Sequence, residues 1–338
     1  MRYSRRQFIQ QNLLATGTFL LPFPAMAKSQ VLTVRGPIPA DSMGTTLVHE
    51  HVLVDFIGAD KIAAGRYNRK EVFDSVLPHL RDLRRRGCKT LVECTPQWLG
   101  RDPLLLRELS GASDLHIITN TGYYGAAGEK FLPASLQTTD AARLSSEWIA
   151  EYKQGIGDTK IKPGFMKLGV DDLPFSEGIQ KILQAGALTF RTTGLPIAIH
   201  TSKGGNPARE ELRLLTENGV PADAFIWVHA QNERDPAVYE EMARAGAWVE
   251  LDGYHRDQTD IYVAMLLRLK IQRCWHRILV SQDAGWYHVG EPGGGSFRPY
   301  LDIFDSLLPA MRKSGFTEED INQLMVLNPS AAFSLRSL

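Results

Sequence analysis

Short apolar runs alternate with segments of helical apolar spacing along nearly the whole chain after Val31. Apolar runs bounded by polar or turn residues predict strands at 46–53, 90–94, 115–119, 164–170, 196–200, 225–229, 248–251 and 277–281. Between them, apolar residues three and four apart predict helices at 69–86, 141–155, 176–191, 206–218, 235–245 and 260–270. Asp-Pro pairs at 102 and 235 are typical of helix starts.

Eight strands that alternate with helices predict an α/β fold with a parallel sheet, and eight is the number that closes a (β/α)8 TIM barrel. Active sites of such barrels lie at the C-terminal ends of the strands. A doubly wound open sheet is the structural alternative. The absence of a glycine-rich phosphate loop after the first strand argues against its nucleotide-binding version.

Composition narrows the class of protein without defining its chemistry. The chain has 338 residues, 43% of them hydrophobic and 22% charged, which is typical of a globular protein. Its 38 basic and 38 acidic side chains balance, so we expect neither nucleic-acid binding nor attraction to an anionic membrane. Three cysteines are too few for a disulfide framework.

The first 27 residues have the layout of an export signal. Three arginines open the segment, an apolar run follows at 13–23, and "AMA" at 25–27 is a small-x-small cleavage site. The pair Arg5-Arg6 indicates a twin-arginine signal, with the twin-arginine export machinery as partner and the periplasm as destination. An N-terminal membrane anchor is the alternative, although the run is short of the ~20 residues that span a bilayer. We therefore predict a signal peptide at 1–27 and one barrel domain at 28–338.

Polar residues with metal-binding chemistry recur where the predicted strands end. His49 and His51 lie two apart on the first strand, so both side chains point to the same face. Lys167 lies in the apolar fourth strand, His200 and His229 end the fifth and sixth, and Asp283 follows the eighth. The candidate metal ligands are therefore His49, His51, Lys167, His200, His229 and Asp283.

Each of these residues alone has an ordinary structural explanation, such as a hydrogen-bonded core histidine or a capping aspartate. Burying all six without partners would cost several kcal/mol, on the order of 1–3 kcal/mol for each group. A shared metal centre explains all of them together. Glu50, between the two histidines, points to the opposite face and is not expected to be a ligand. His255 and His288 follow strands seven and eight and could line the mouth of the site.

The ordered set resembles the phosphotriesterase family of the amidohydrolase superfamily. The resemblance rests on "TTLVHEH", "FMKLGV", "IAIHTSKG", "WVHAQNE" and "ILVSQDAGW", and it extends over residues 31–338. It implies a binuclear centre in which His49, His51 and Asp283 hold a buried metal. His200 and His229 would hold a more exposed metal, and Lys167, carboxylated by CO2, would bridge the two.

The resemblance also implies a hydrolase. Two divalent ions, with zinc favoured and manganese, cobalt or iron as alternatives, would share a water and lower its pKa. Asp283 would accept the proton of that water as attack proceeds. Members of this family are often homodimers, but no interface is readable in this sequence.

Two positions bear on the substrate. "TGYY" places Tyr124 where lactonases of the family have a tyrosine near the metals. After strand seven the chain has Gly253, where lactonases have arginine and phosphotriesterases have histidine, and Asn232 replaces a further aspartate of the proton relay. We therefore expect hydrolysis of a lactone or another carboxylic ester. A phosphotriesterase acting on organophosphates is the alternative, and a binding protein without catalysis is a third.

Overall fold

The computed structural model describes residues 29–337. The strands are β1 Gln30–Thr33, β2 Gly36–Pro39, β3 Thr46–Val54, β4 Thr90–Glu93, β5 His116–Ile118, β6 Asn120–Thr121, β7 Phe165–Val170, β8 Ile197–Thr201, β9 Phe225–Val228, β10 Trp248–Leu251, β11 Ile278–Val280 and β12 Gly285–His288. The main helices are α1 Arg69–Arg85, α2 Pro103–Ser113, α3 Ala141–Gln154, α4 Glu177–Thr193, α5 Gly205–Glu217, α6 Pro236–Arg244 and α7 Thr259–Ile271. Three short helices follow them, α8 Leu308–Lys313, α9 Glu318–Asn322 and α10 Asn328–Phe333.

The strands from β3 to β12 are parallel and follow one another around a ring. One ladder runs from β12 through β3 and β4 to β5, and the other runs from β6 through β7, β8, β9 and β10 to β11. Residues 116–121 supply both β5 and β6, so this segment joins the two ladders. On the opposite side, the Asp283 N–H donates to the His49 carbonyl at 3.2 Å, and the His51 N–H donates to the Ala284 carbonyl at 2.9 Å. The sequential order confirms the (β/α)8 barrel and is unlike a doubly wound sheet, whose strand order reverses.

Local sequence explains where the barrel helices begin. The Asp102 carboxylate accepts a hydrogen bond from the Leu105 N–H, and Pro103 occupies the first turn of α2. Asp235 caps α6 in the same way through the Ala237 N–H. Both starts match the Asp-Pro signals in the sequence. The six helices predicted from periodicity are also present, with ends that differ by at most two residues.

The hydrophobic core has an outer and an inner part. The outer part lies between strands and helices, and the inner part fills the barrel with side chains such as Val48, Phe165 and Ile226. The bottom of the barrel is closed by α10, because the Phe333 ring packs edge-on against Phe165 with centroids 5.4 Å apart. The interior is therefore packed at the bottom, and space remains at the C-terminal ends of the strands. Within residues 29–337, no helix is long and apolar enough to cross a membrane.

Three regions of regular structure were not predicted. The hairpin of β1 and β2 precedes the barrel, and α8 to α10 follow it together with the π-helical segments Ile303–Leu307 and Gln323–Leu327. The short strand β12 also falls beyond the last predicted strand. The predicted signal peptide at 1–27 lies outside the described residues, and the division of the chain at residue 28 stays a prediction.

Candidate metal centre

The six predicted side chains meet in one cavity of about 340 Å³ at the C-terminal ends of the barrel strands. All six line this cavity: His49, His51, Lys167, His200, His229 and Asp283. The imidazole rings of His49 and His51 have centroids 5.4 Å apart, and those of His200 and His229 are 4.4 Å apart. Residues from five separate strands or strand ends therefore converge on a volume that suits a metal cluster.

Carboxylates on β10 and just after it fix the orientation of His49 and His229. Nδ1 of His49 lies 2.7 Å from Oε1 of Glu250 and 3.0 Å from Oδ2 of Asp252. Nδ1 of His229 lies 2.7 Å from Oδ1 of Asp252. Because a carboxylate accepts hydrogen bonds, both Nδ1 atoms carry the proton, and each Nε2 keeps a free lone pair. Such carboxylate–imidazole pairs are typical of metal ligands.

A hydroxyl relay fixes the tautomer of His51. Oγ1 of Thr95 donates its hydrogen bond to Oε1 of Glu93 at 2.5 Å. Towards Nδ1 of His51, 2.7 Å away, the same oxygen can therefore only accept, so Nδ1 carries the proton. Nε2 of His51 is therefore unprotonated, and it faces Oδ1 of Asp283 at 3.2 Å. Two acceptors at this separation repel each other unless a proton or a cation lies between them.

His200 has the opposite arrangement. Its Nε2 lies 3.0 Å from the Tyr124 hydroxyl and 3.2 Å from Oγ of Ser202. The Ser202 hydroxyl donates to the Val170 carbonyl at 3.1 Å, so it accepts from Nε2. Nε2 therefore carries the proton, and Nδ1 of His200 is the nitrogen left for a metal. The Tyr124 oxygen can share this donor, which leaves its own O–H free for another partner.

Burial keeps the imidazoles of His49, His51 and His200 neutral, and the surroundings of Asp283 keep its carboxyl ionised. Desolvation, followed by the charge of Lys167, lowers the pKa of His49 to about 3, and desolvation also lowers the pKa values of His51 and His200. For Asp283, burial would raise the pKa, but the close approach of the His51, His49 and His229 rings holds it below its ordinary value. Neutral imidazoles and an ionised carboxylate are the forms that bind divalent metals.

Two observations show that the residues fit the cations that the motifs imply. Oδ1 of Asp283 is buried and lacks a hydrogen-bond donor among residues 29–337. Lys167 is 2% exposed, and its amine contacts Nε2 of His49 at 3.2 Å with no carboxylate of the described chain within 4.0 Å. Burial of an unpaired ammonium group costs free energy. Conversion of the Lys167 amine to a carbamate would instead place a negative charge between the two cations.

The grouping of nearby donor atoms supports one of the two predicted subsites directly. His49, His51 and Asp283 have ligand atoms within 4.8 Å of one another. A second close group consists of His49, His229 and Asp252. In that group the Asp252 oxygens contact protonated Nδ1 atoms, so we read Asp252 as an orienting carboxylate rather than a ligand.

The wall of the cavity is largely apolar. Its apolar side chains are Phe56, Pro96, Leu99, Ala127, Phe131 and Trp286. The Trp286 ring lies 4.0 Å from His51 and stacks on Phe56 at 5.7 Å, which places an aromatic surface beside the ligands. Tyr124 also lines the cavity, as expected, and burial raises the pKa of its hydroxyl. The tyrosine therefore remains a hydrogen-bond donor at neutral pH.

Other predicted residues lie outside this cavity. His255 is exposed and its Nε2 accepts from Arg298 at 3.2 Å, so it does not replace the missing relay histidine. Asn232 is exposed on the loop after β9. Glu50 faces away from the ligands, as expected, and its carboxylate accepts from the N–H of Ala284 at 2.7 Å. It thereby ties β3 to the segment that closes the barrel.

The carboxylates that orient the histidines were not predicted from the sequence. Glu250 and Asp252 lie two apart on a buried strand and its extension, which is the same spacing that identified His49 and His51. Asp252 is held in turn by Gln231, whose Nε2 donates to Oδ1 at 2.8 Å and whose Oε1 accepts from the Asp252 N–H at 3.1 Å. The two-residue spacing was a usable signal for the carboxylates, but no comparable signal marks Gln231.

Comparison with known proteins places these features in a family. A model of the phosphotriesterase family matches residues 29–333. The aryldialkylphosphatase of Saccharolobus solfataricus is 26% identical over 313 residues, which cover 90% of this chain and 99% of that protein. The organophosphorus hydrolase from Deinococcus radiodurans superposes with a TM-score of 0.82 at 29% identity, covering 92% of this chain and 98% of that one. A mutant PTE-like lactonase from the same organism gives 0.80 at 29% identity, covering 90% and 99%. The family expected from the motifs is confirmed, and the chain belongs to the phosphotriesterase family of hydrolases.

Proposed function

We propose that the protein is a metal-dependent hydrolase of lactones or other carboxylic esters. The observation that carries this proposal is the set of four imidazoles, each with one lone pair left free by its partner, beside the unpaired Oδ1 of Asp283. Such a donor set suits zinc, and also manganese, cobalt or iron. The second support is the apolar cavity of about 340 Å³, which can take an acyl chain or ring.

The candidate ligands form two groups, one for each cation. His49, His51 and Asp283 would hold the buried ion, and His200 and His229 would hold the ion nearer the cavity mouth. Lys167, once carboxylated, would offer one oxygen to each. When bound, the pair of cations would supply an activated water and an electrophile for the substrate carbonyl.

The chain itself would supply orientation and proton transfer. Asp283 is held ionised, so one of its oxygens can accept a proton during attack and return it to the leaving oxygen. The Tyr124 O–H is not used by His200 when Nε2 of His200 carries the proton, so it can donate to a substrate oxygen. Phe131 and Trp286 would pack against the apolar part of the substrate and exclude water.

Carboxylic esters are favoured over phosphotriesters because the relay of the phosphotriesterases is absent. Gly253 has no side chain to carry a proton, and a Cβ there would collide with Nε2 of Gln231. The phosphotriesterase alternative keeps support from the aryldialkylphosphatase of Saccharolobus solfataricus, which shares the fold and the family. The mutant PTE-like lactonase from Deinococcus radiodurans supports the first choice.

A substrate comparison tests the proposal. Protein loaded with zinc or manganese is assayed with a panel of lactones, alkyl esters and aryl esters, and with paraoxon. We expect kcat/KM for the best lactone or ester to exceed that for paraoxon by about 100-fold or more, a ~2.7 kcal/mol difference in transition-state stabilisation. Faster turnover of paraoxon would favour the alternative. Lys167→Ala should abolish activity, and addition of a short carboxylic acid should restore part of it. Full activity of this variant without the acid would contradict the bridging role.

We also propose that the protein is exported in its folded state through the twin-arginine route. The support is the sequence of residues 1–27 alone. A metal centre whose ligands come from strands spread over residues 49–283 is complete only after folding, so metal loading before export is compatible with this route.

A further inference from the structure

One charged side chain stands apart in the otherwise apolar wall of the cavity. Lys130 lines the cavity together with the aromatic rings, and its Nζ lies 5.5 Å from the centroid of the Phe131 ring. The other charged residues that line it, Lys167 and Asp283, belong to the floor at the ligands. Lys130 is exposed, so it is the cation that a bound molecule would meet on the solvent side of the cavity.

Lys130 has no ion-pair partner in the described chain. None of the carboxylates within residues 29–337 lies within 4.0 Å of its Nζ. The adjacent Glu129 is taken by the hydroxyl of Ser176, and Asp171 accepts from the N–H groups of Ala127 and Gly128 at 2.9 and 2.8 Å. Glu129 and Asp171 thus have other hydrogen-bond partners, and the charge of Lys130 is left for the cavity.

The backbone that carries Lys130 is fixed. Its carbonyl accepts from the Ala59 N–H at 3.0 Å, and the following Phe131 is buried with its ring 6.2 Å from that of Phe56. Oδ1 of the exposed Asp60 and the Lys130 side chain both lie near Gly58. Asp60 remains beyond ion-pair distance of Nζ, so the lysine is placed by backbone contacts and ring packing and not by a charge partner.

From this arrangement we propose that the enzyme selects esters that carry an anionic group, such as a carboxylate, on the end remote from the scissile carbonyl. The apolar body would lie on Phe131 and Trp286, and the anion would pair with Nζ of Lys130 at the mouth. A neutral ester of the same shape would leave this cation without a partner. The inference rests on the proposed ester hydrolysis but concerns the recognition of the substrate and not the chemical step.

A matched pair of lactones tests the inference. One is a γ-butyrolactone with a propanoate side chain, and the other has the same side chain capped as a methylamide. Both have the same scissile bond, so the ratio of their kcat/KM values reports recognition of the charge. We expect the wild-type protein to prefer the anion by about fivefold or more, as for an ion pair at a partly exposed position.

Variants separate the lysine from general charge effects. Lys130→Gln should bring the ratio close to one, and Lys130→Arg should keep it within about twofold of the wild type. Lys61→Gln is the control, because it removes an equal charge from a nearby loop outside the cavity lining. A ratio unchanged in Lys130→Gln, or changed equally in Lys61→Gln, would overturn the inference.

Failure of the proposed function would be recognised separately. If neither lactone is turned over by metal-loaded protein, the panel of esters described above decides the proposed function, and binding decides the role of Lys130. The dissociation constants of 4-phenylbutanoate and 4-phenylbutanamide are measured by calorimetry for the wild type and for Lys130→Gln. Contacts of the carboxylate with the metals are common to both proteins, so a loss of about fivefold confined to the anion supports the inference. Equal losses for both compounds, or none, overturn it.

Discussion

Asp252 makes a sharp prediction, because one buried carboxylate orients two candidate ligands. It contacts Nδ1 of His229 at 2.7 Å and Nδ1 of His49 at 3.0 Å. It also accepts from the His229 N–H at 3.0 Å and from Nε2 of Gln231 at 2.8 Å. Asn at this position keeps the shape but can accept with one oxygen only, so two of the four donors lose their acceptor.

The expected loss follows from these contacts. An orienting carboxylate typically contributes about 10–100-fold in metal affinity, and Asp252 serves one ligand of each predicted subsite. Asp252→Asn should therefore weaken zinc binding by about 100-fold, which is ~2.7 kcal/mol. Loss of a buried charge with four donors should also lower the free energy of unfolding of the metal-free protein by about 3 kcal/mol.

The assay is competition for zinc with a chromophoric chelator, together with urea unfolding of metal-free protein. Asp102→Asn is a matched control, because Asp102 is also a buried aspartate that accepts four hydrogen bonds. Its donors are the Tyr67 hydroxyl at 2.6 Å, Nε and Nη2 of Arg69 at 2.9 and 3.3 Å, and the Leu105 N–H at 3.1 Å.

The control distinguishes orientation of ligands from general stability. Asp102→Asn should lower the free energy of unfolding by an amount similar to that of Asp252→Asn, and it should leave zinc affinity within about twofold of the wild type. An Asp252→Asn protein that binds zinc as tightly as the wild type would refute the assignment of Asp252 as the residue that orients His49 and His229.

Three further predictions concern other parts of the chain. Gly253→Arg should displace Gln231 and lower zinc affinity by about tenfold, as measured by chelator competition. It should not create a proton relay, so a gain of paraoxon turnover in this variant would contradict the prediction. Burial lowers the pKa of His79, so the unfolded chain takes up a proton first, and stability should fall as the pH drops through 6.5. His79→Gln should lose less stability than the wild type between pH 7.5 and 5.5 in urea unfolding, and parallel losses would count against the shift. A reporter fused to residues 1–35 should reach the periplasm, and replacement of Arg5 and Arg6 by lysine should stop this export. Export of the lysine variant would exclude the twin-arginine route.

The sequence revealed the barrel because parallel strands buried on both faces are continuous apolar runs. In β7 all six residues are buried, so its apolar letters alone do not distinguish the face toward the barrel axis from the face toward the helices. Polar residues resolve this ambiguity at the site. His49 and His51 mark the interior face of β3, and the single lysine of β7 marks the interior face there.

Features that depend on distant contacts could not be predicted. The tautomer of His51 depends on Glu93, which ends β4, and on Thr95 just beyond it. That of His200 depends on the hydrogen bond from Ser202 to the Val170 carbonyl. The position of a loop residue such as Lys130 likewise depends on backbone contacts made across the cavity mouth. The C-terminal helices were missed for another reason, since they are short and interrupted by π-helical turns that break the 3.6-residue pattern.

The two hydrogen bonds between Gln231 and Asp252 bear on the class of ester proposed as substrate. Gln231 cannot titrate, and it occupies the space beside Gly253 through which a side chain could have carried a proton outward. In the proposed mechanism, a proton taken by Asp283 would then have one useful destination, the leaving oxygen of the substrate. A lactone or alkyl ester releases a strongly basic alkoxide that takes this proton back, so the cycle closes without a relay. A nitrophenolate leaves without it, and Asp283 must then be deprotonated by solvent. We therefore expect rates with esters of good leaving groups to rise with added buffer base, whereas rates with lactones should not, and equal buffer dependence would refute this account of the missing relay.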